Sequence, residues 1–206
     1  MSRQPPHKSE RPQAIDGLPR GPAPEATARG SAAVKERVLG LPPIAEAPTG
    51  STIALYLPLP GELDTEPLWE ALFARGFRCV FPRVERESPL LHFYPLAPGE
   101  AVERGPLGVR QPPAREKIPL EAIDLFLVPG QAFDLQGGRL GRGKGYYDAT
   151  LAEAPRAERI GVAFDEQVVP LVPMLPHDVP LDWIVTPSRS HRCEPGRSHT
   201  GAHGPW

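Results

Sequence analysis

Between Gly137 and Gly145 three basic side chains alternate with five glycines: Arg139, Arg142 and Lys144 are set among Gly137, Gly138, Gly141, Gly143 and Gly145. Glycine lets backbone N–H groups come close to a ligand and accepts positive φ. Arginine offers an anion a planar fork, and lysine a compact charge. Such a set suits phosphate oxygens, above all where the loop feeds a helix whose first N–H groups are unpaired and whose dipole end is positive. Two phosphate-loop templates fit only in part. Gly138-x4-Gly143-Lys144 begins as a P-loop does, but Gly145 stands where Ser or Thr would reach a metal. Gly141-x-Gly143 is followed by Tyr146 where a dinucleotide fingerprint needs its third glycine. A solvated surface hairpin is the plainer reading of the same residues. Asp148 lies one helical turn beyond Lys144, so the two can share a helix face as an ion pair. Asp178 by itself reads as a loop carboxylate or a cap.

The elements that must position this loop follow from hydrophobic patterning. Ile123–Val128 is a continuous apolar run, as in a central parallel strand, and leads directly into the loop. Thr52–Leu57 and Phe77–Phe81 read as buried strands, as do Leu90–Tyr94, Arg159–Phe164 and Trp183–Thr186. Helices are expected over Ala32–Leu39, from Asp64 or Thr65 to about Gly76 with Pro67 in the first turn, and over Lys144–Glu153. In the last of these Tyr146 and Tyr147 point about 100° apart, so one should pack inward and one should face the site. Strands alternating with helices imply an α/β fold, a three-layer sandwich with a mostly parallel central sheet and Rossmann-like topology.

The chain has 206 residues and 40% hydrophobic residues, enough for one domain with its own core. Residues 1–31 carry six prolines before Gly30 and read as a disordered or extended arm. Residues 32–187 form the domain, and 188–206 read as a flexible tail with His191, Cys193, His199 and His203. A net charge of −2 advertises no nucleic-acid or anionic-membrane surface. No run reaches the ~20 apolar residues of a membrane span, and no secretory signal is visible. Cys79 and Cys193 imply no disulfide framework. A cytoplasmic protein is expected, acting as a monomer.

The string Pro129–Asp148, PGQAFDLQGGRLGRGKGYYD, closely resembles the signature of the 5-formyltetrahydrofolate cyclo-ligase family, also called 5,10-methenyltetrahydrofolate synthetase. Three further pieces are similar to family elements, in the family's order: Tyr56–Thr65, Gly108–Pro112 and His177–Asp182 with Val185-Thr186. The likeness spans about Ala32–Thr186. It implies an enzyme that uses ATP and Mg²⁺ to convert 5-formyltetrahydrofolate to 5,10-methenyltetrahydrofolate, ADP and phosphate. It implies that Arg139, Leu140, Gly141, Arg142, Gly143, Lys144, Gly145, Tyr146 and Tyr147 bind ATP, with Arg142 and Lys144 catalytic. It places Leu57, Glu62 and Tyr147 on the folate, and Asp148 and Asp178 on magnesium. The family's N-terminal lysine and arginine, four apart on a helix, have no match in Lys8 and Arg11, which are three apart and followed by Pro12. The alternative is therefore a folate- or nucleotide-binding protein of the same fold without catalysis.

Overall fold

A computed structural model describes residues 24–85 and 87–194. In chain order its elements are α1 (Pro24–Leu39), α2 (Pro42–Ala45), β1 (Thr52–Ala54), α3 (Glu66–Ala74), β2 (Arg78–Val84), β3 (Leu91–Pro95), β4 (Glu103–Arg104), β5 (Arg110–Gln111), β6 (Leu125–Val128), β7 (Ala132–Phe133), β8 (Arg139–Leu140), α4 (Tyr146–Ala152), β9 (Glu158–Val162), β10 (Trp183–Val185) and β11 (Ser190–Arg192). Seven strands form one sheet in the order β11-β10-β9-β6-β1-β2-β3. The five central strands are parallel, and β3 and β11 close the edges antiparallel.

Alternation along the strands builds the two cores. Ile53 and Leu55, Leu125 and Leu127, and Ile160 and Val162 face α1 and α3, where they meet Val34, Val38, Leu68 and Leu72. Ala54, Phe126 and Val128 face the other side, with Phe93 and the α4 residue Leu151. The expected three-layer α/β sandwich is thus present. The chain leaves β1 toward β2 on one side and leaves β6 toward β9 and β10 on the other. Strand order therefore reverses between β1 and β6, and the loops after these two strands flank a crevice of the kind where open α/β sheets bind ligands. Proline helps free the first loop: Pro58 and Pro60 cannot donate to a ladder, so pairing ends and the chain turns away.

Two boundaries differ from the sequence reading. α1 covers Pro24–Leu39 among the described residues, so residues 24–31 are helical and do not belong to an arm of 1–31. Gly30 in that helix serves packing, since a Cβ there would lie 2.9 Å from Cε1 of Phe164. The start of the expected tail is also ordered. β11 pairs with β10, His191 Nε2 lies 2.9 Å from the Leu135 carbonyl oxygen, and Cys193 is buried. The rest of the expected arm and tail, with Lys8, Arg11, His199 and His203, lies outside the described residues.

Candidate active site

The glycine-rich segment folds as a short hairpin followed by an open loop. β7 and β8 pair with Ala132 against Leu140 and Phe133 against Arg139. Buried Asp134 closes the turn between them. Its Oδ1 accepts from the N–H groups of Gln136 and Gly138, each at 2.9 Å, and its Oδ2 accepts from Val172 N–H at 2.7 Å. Gly137 has φ 92°, and a Cβ on Gly138 would sit 2.4 Å from Asp134 Oδ2. These two glycines thus serve the turn. Gly141, Gly143 and Gly145 border a cavity of about 200 Å³. Gly145, at φ 73°, ends the loop in the left-handed region and starts α4.

That cavity lies at the reversal of strand order. Tyr56, Leu57, Leu59 and Glu62 line it from the loop after β1, and Pro129, Gly130 and Arg139 from the segment after β6. Tyr146, Tyr147 and Asp148 border it from the first turn of α4, Pro82, Val84 and Leu91 from β2 and β3, and Val109 and Arg110 from the residue before β5 and the start of that strand. The loop after β1 is held by Thr65 Oγ1–H donating to Tyr56 O, by Asp64 N–H donating to Ser31 Oγ and by Leu59 N–H donating to Glu62 Oε2, each at 2.9 Å. Leu91 N–H donates to Thr150 Oγ1, so β3 is tied to α4.

The cations differ in how far they are committed. Arg139 is only 6% exposed. Its Nη2 donates to Asp148 Oδ1 at 2.8 Å, and its guanidinium lies 5.5 Å from the centroid of the Tyr147 ring. Arg142 reaches across to Glu62 at 3.2 Å, a half-exposed ion pair worth at most about 1 kcal/mol. Lys144 is exposed and has no carboxylate partner among the described residues. Asp148 therefore pairs with Arg139 and not with Lys144, because β8 runs beneath the first turn of α4. Burial, then the charge of Glu62, raises the Tyr147 phenol, and the same two causes raise Tyr56. Both remain protonated donors at neutral pH, and the buried Tyr147 hydroxyl has no hydrogen-bond partner among the described residues.

A sequence profile of the 5-formyltetrahydrofolate cyclo-ligase family matches residues 8–187. The chain belongs to this family. The 5-formyltetrahydrofolate cyclo-ligase of Escherichia coli (strain K12) is 35% identical over 158 residues, covering 74% of this chain and 85% of that protein. The mouse (Mus musculus) protein of the same name is 30% identical over 145 residues, 65% of this chain and 71% of its own. The solved 5,10-methenyltetrahydrofolate synthetase of Aquifex aeolicus superimposes with a TM-score of 0.72 at 32% identity, over 88% of this chain and 90% of that one. The family match starts at residue 8, well before the Ala32 at which the sequence likeness was placed, so the family pattern extends into the proline-rich segment.

The structure gathers Leu57, Glu62, Arg139, Gly141, Arg142, Gly143, Lys144, Gly145, Tyr146, Tyr147 and Asp148 around the cavity. Both tyrosines line it, where only one was expected to. Two expected residues do not line it. Leu140 is held in the β7–β8 ladder. Asp178 closes a turn, its Oδ2 accepting from Leu175 N–H at 2.8 Å, while its buried Oδ1, 3.8 Å from His177 Nε2, has no hydrogen-bond partner among the described residues. Sequence reasoning missed Pro82, Val84, Leu91 and Arg110 as wall residues. The first three carry no signal beyond that of a strand, whereas Arg110 could have been found as a charge inside the Gly108–Pro112 element.

Proposed function

We propose that this cavity closes the methenyl bridge of 5,10-methenyltetrahydrofolate from 5-formyltetrahydrofolate and ATP, acting as a monomer in the cytoplasm. The observation that carries the reading is the convergence on one cavity of the glycine-rich cations with Leu57, Glu62 and Tyr147. The chemical obstacle is an unreactive amide whose N5-formyl oxygen leaves poorly. Transfer of the γ-phosphoryl group to that oxygen breaks its bond to ADP and gives an iminium-like phosphate ester. N10 then attacks the formyl carbon and loses its proton. The carbon–oxygen bond breaks, and phosphate departs with the former formyl oxygen.

The protein's part is alignment and charge compensation. Lys144, without a carboxylate partner among the described residues, and Arg142, held there only by an exposed pair, take the triphosphate oxygens. The amides of Gly141, Gly143 and Gly145 and the side chains of Arg139 and Tyr146 line the same space. Glu62 offers carboxylate oxygens to the N–H groups of the pterin, Leu57 offers apolar contact, and the Tyr147 hydroxyl gains the partner it lacks. Magnesium takes hard oxygen ligands, and the acidic donors here fit it. Asp148 lines the cavity, and Asp178, outside it, keeps an oxygen that only His177 approaches, at 3.8 Å, among the described residues. Mg²⁺ held by these two aspartates would neutralise phosphate charge. Unpaired thiols at Cys79 and Cys193 suit a reducing compartment, and no helix among the described residues is long and apolar enough to cross a membrane.

Mixing the full chain with 5-formyltetrahydrofolate, Mg²⁺ and ATP tests the reading, because the methenyl product is a distinct chromophore. An ATP-dependent rise in its absorbance, with one phosphate released per product, is expected. Folate binding without any rise would leave a non-catalytic binder.

A further inference from the structure

Four cations border or adjoin the cavity on two kinds of element. Those of the glycine-rich segment are Arg139, Arg142 and Lys144, and the first two already face carboxylates. The fourth, Arg110, stands on β5, in a short hairpin far away in sequence. It is exposed, and it has no carboxylate partner among the described residues. Among the described residues its side chain makes one hydrogen bond, a long one of 3.5 Å from Nη2 to the carbonyl oxygen of Pro58 on the loop after β1. Most of its five donors are uncommitted.

Directly across the hairpin from Arg110 is Arg104 on β4. Residues directly opposite in an antiparallel pair share a face with Cβ atoms about 5 Å apart, and like charges placed there repel. Arg104 is exposed as well and has no carboxylate partner among the described residues. The hairpin that holds the two arginines is firmly shaped. Gly105 N–H donates to Val109 O at 2.8 Å, Gly108 adopts φ 72°, and the buried Gln111 side chain packs so close to Gly105 that a Cβ there would lie 2.0 Å from its Oε1. Arg110 lines the cavity beside an otherwise apolar stretch of wall, Pro82, Val84, Leu91 and Val109, and Arg104 stands opposite it on the same face of the hairpin, so the two offer a site for an anion bound after, and apart from, a flat apolar group.

We infer that Arg110, with Arg104 beside it, binds the carboxylates of the substrate's glutamate tail and so sets how strongly the enzyme prefers tailed folates. This rests on the cyclo-ligase reading of the cavity and adds a substrate end to it. 5-Formyltetrahydrofolate has an aminobenzoyl ring followed by a glutamate with two carboxylates. A ring lying along Val84, Leu91 and Val109 carries those carboxylates toward β5, while the triphosphate remains with Lys144. Each further γ-linked glutamate adds one carboxylate, and Arg104 offers the second fork.

The test compares three substrates with the full-length enzyme: 5-formyltetrahydropteroate, which lacks the tail, 5-formyltetrahydrofolate, and its γ-linked triglutamate. With wild-type protein, KM should fall along that series. Arg110→Ala should raise KM for the monoglutamate about tenfold relative to its KM for the tail-free compound, the loss of roughly one charge-assisted contact. Arg104→Ala should erase most of the gain from mono- to triglutamate, and Arg110→Lys should restore part of the tenfold loss. If Arg110→Ala shifts KM equally for tailed and tail-free substrates, or shifts neither, the tail assignment is overturned while the cyclo-ligase reading stands. If the wild-type enzyme makes no methenyl product from any of the three, both are overturned.

Discussion

The glycine-rich wall of the cavity and the strand wall made by Pro82, Val84, Leu91 and Val109 hold their side chains by different means. On the first, position is set by turns and ion pairs: Asp134 gathers the hairpin, Gly145 starts the helix, and Arg139 is fixed between Asp148 and Tyr147. On the second, position comes from the sheet itself, since β2 and β3 are one antiparallel ladder whose members continue into the core. The first wall carries charge that the fold leaves partly unspent. The second carries surface that would be core if the cavity were closed. Changes on the first should therefore harm nucleotide chemistry, and changes on the second should harm folate binding.

The largest break in this comparison should come from Lys144→Ala. The side chain is exposed and has no carboxylate partner among the described residues, so thermal stability should stay within about 0.5 kcal/mol. Turnover with ATP should fall by roughly 10³-fold, as on losing a preorganised charge at a phosphoryl group. Phosphate release measured against ATP concentration checks this, and unchanged ATP use would remove Lys144 from the clamp. Next is Asp148→Asn, which leaves Arg139 buried without its counter-charge and should lose about 3 kcal/mol in denaturant unfolding. An unchanged midpoint would show that the pair does not organise this wall. Val84→Asp puts a charge on the strand wall and should raise KM for 5-formyltetrahydrofolate about tenfold while leaving KM for ATP near its original value. Equal effects on both substrates would dissolve the distinction between the walls.

The smallest effect at neutral pH lies under the walls, where each core holds one thiol. Burial pushes Cys79 and Cys193 from 9.0 up to about 12, with the charges of Asp134 and Asp182 adding to it at Cys193. An unfolded chain therefore releases these protons first. The stabilisation is whole below pH 9.0 and is lost as pH rises toward about 12. Urea midpoints should be flat from neutral pH to about 9 and then decline, less steeply in Cys79→Ala. A midpoint that rises above pH 9 would contradict the direction of both shifts.

The two walls were also unequally legible in the sequence. The glycine-rich wall is contiguous, so residue type and spacing announced Arg142, Lys144 and the glycines, and the apolar run before them located β6. Even there the chemistry was over-read, because Gly137 and Gly138 serve the Asp134 turn and Leu140 a ladder. The strand wall was not legible. Pro82, Val84 and Leu91 come from two strands and look like any core residue, and only the closing of β2 onto β3 turns their ends toward a ligand. β4 and β5, two residues each, are too short to show any periodicity. At the N-terminus proline content hid residues 24–31 of α1, since a proline-rich composition reads as an extended arm while residues 25–31 are helical.

The ion pair between Arg142 and Glu62 joins two residues that the proposed function gives to different ligands. If nucleotide phosphate takes the arginine and the pterin takes the carboxylate, as proposed, whichever binds first must separate them. The second then meets a partner already released. Affinities should consequently be linked, each ligand tightening the other by the same factor, as thermodynamic reciprocity demands. An exposed pair worth at most about 1 kcal/mol limits that factor to roughly fivefold. The contact thus favours the ternary complex over either binary one, with no movement of the backbone required.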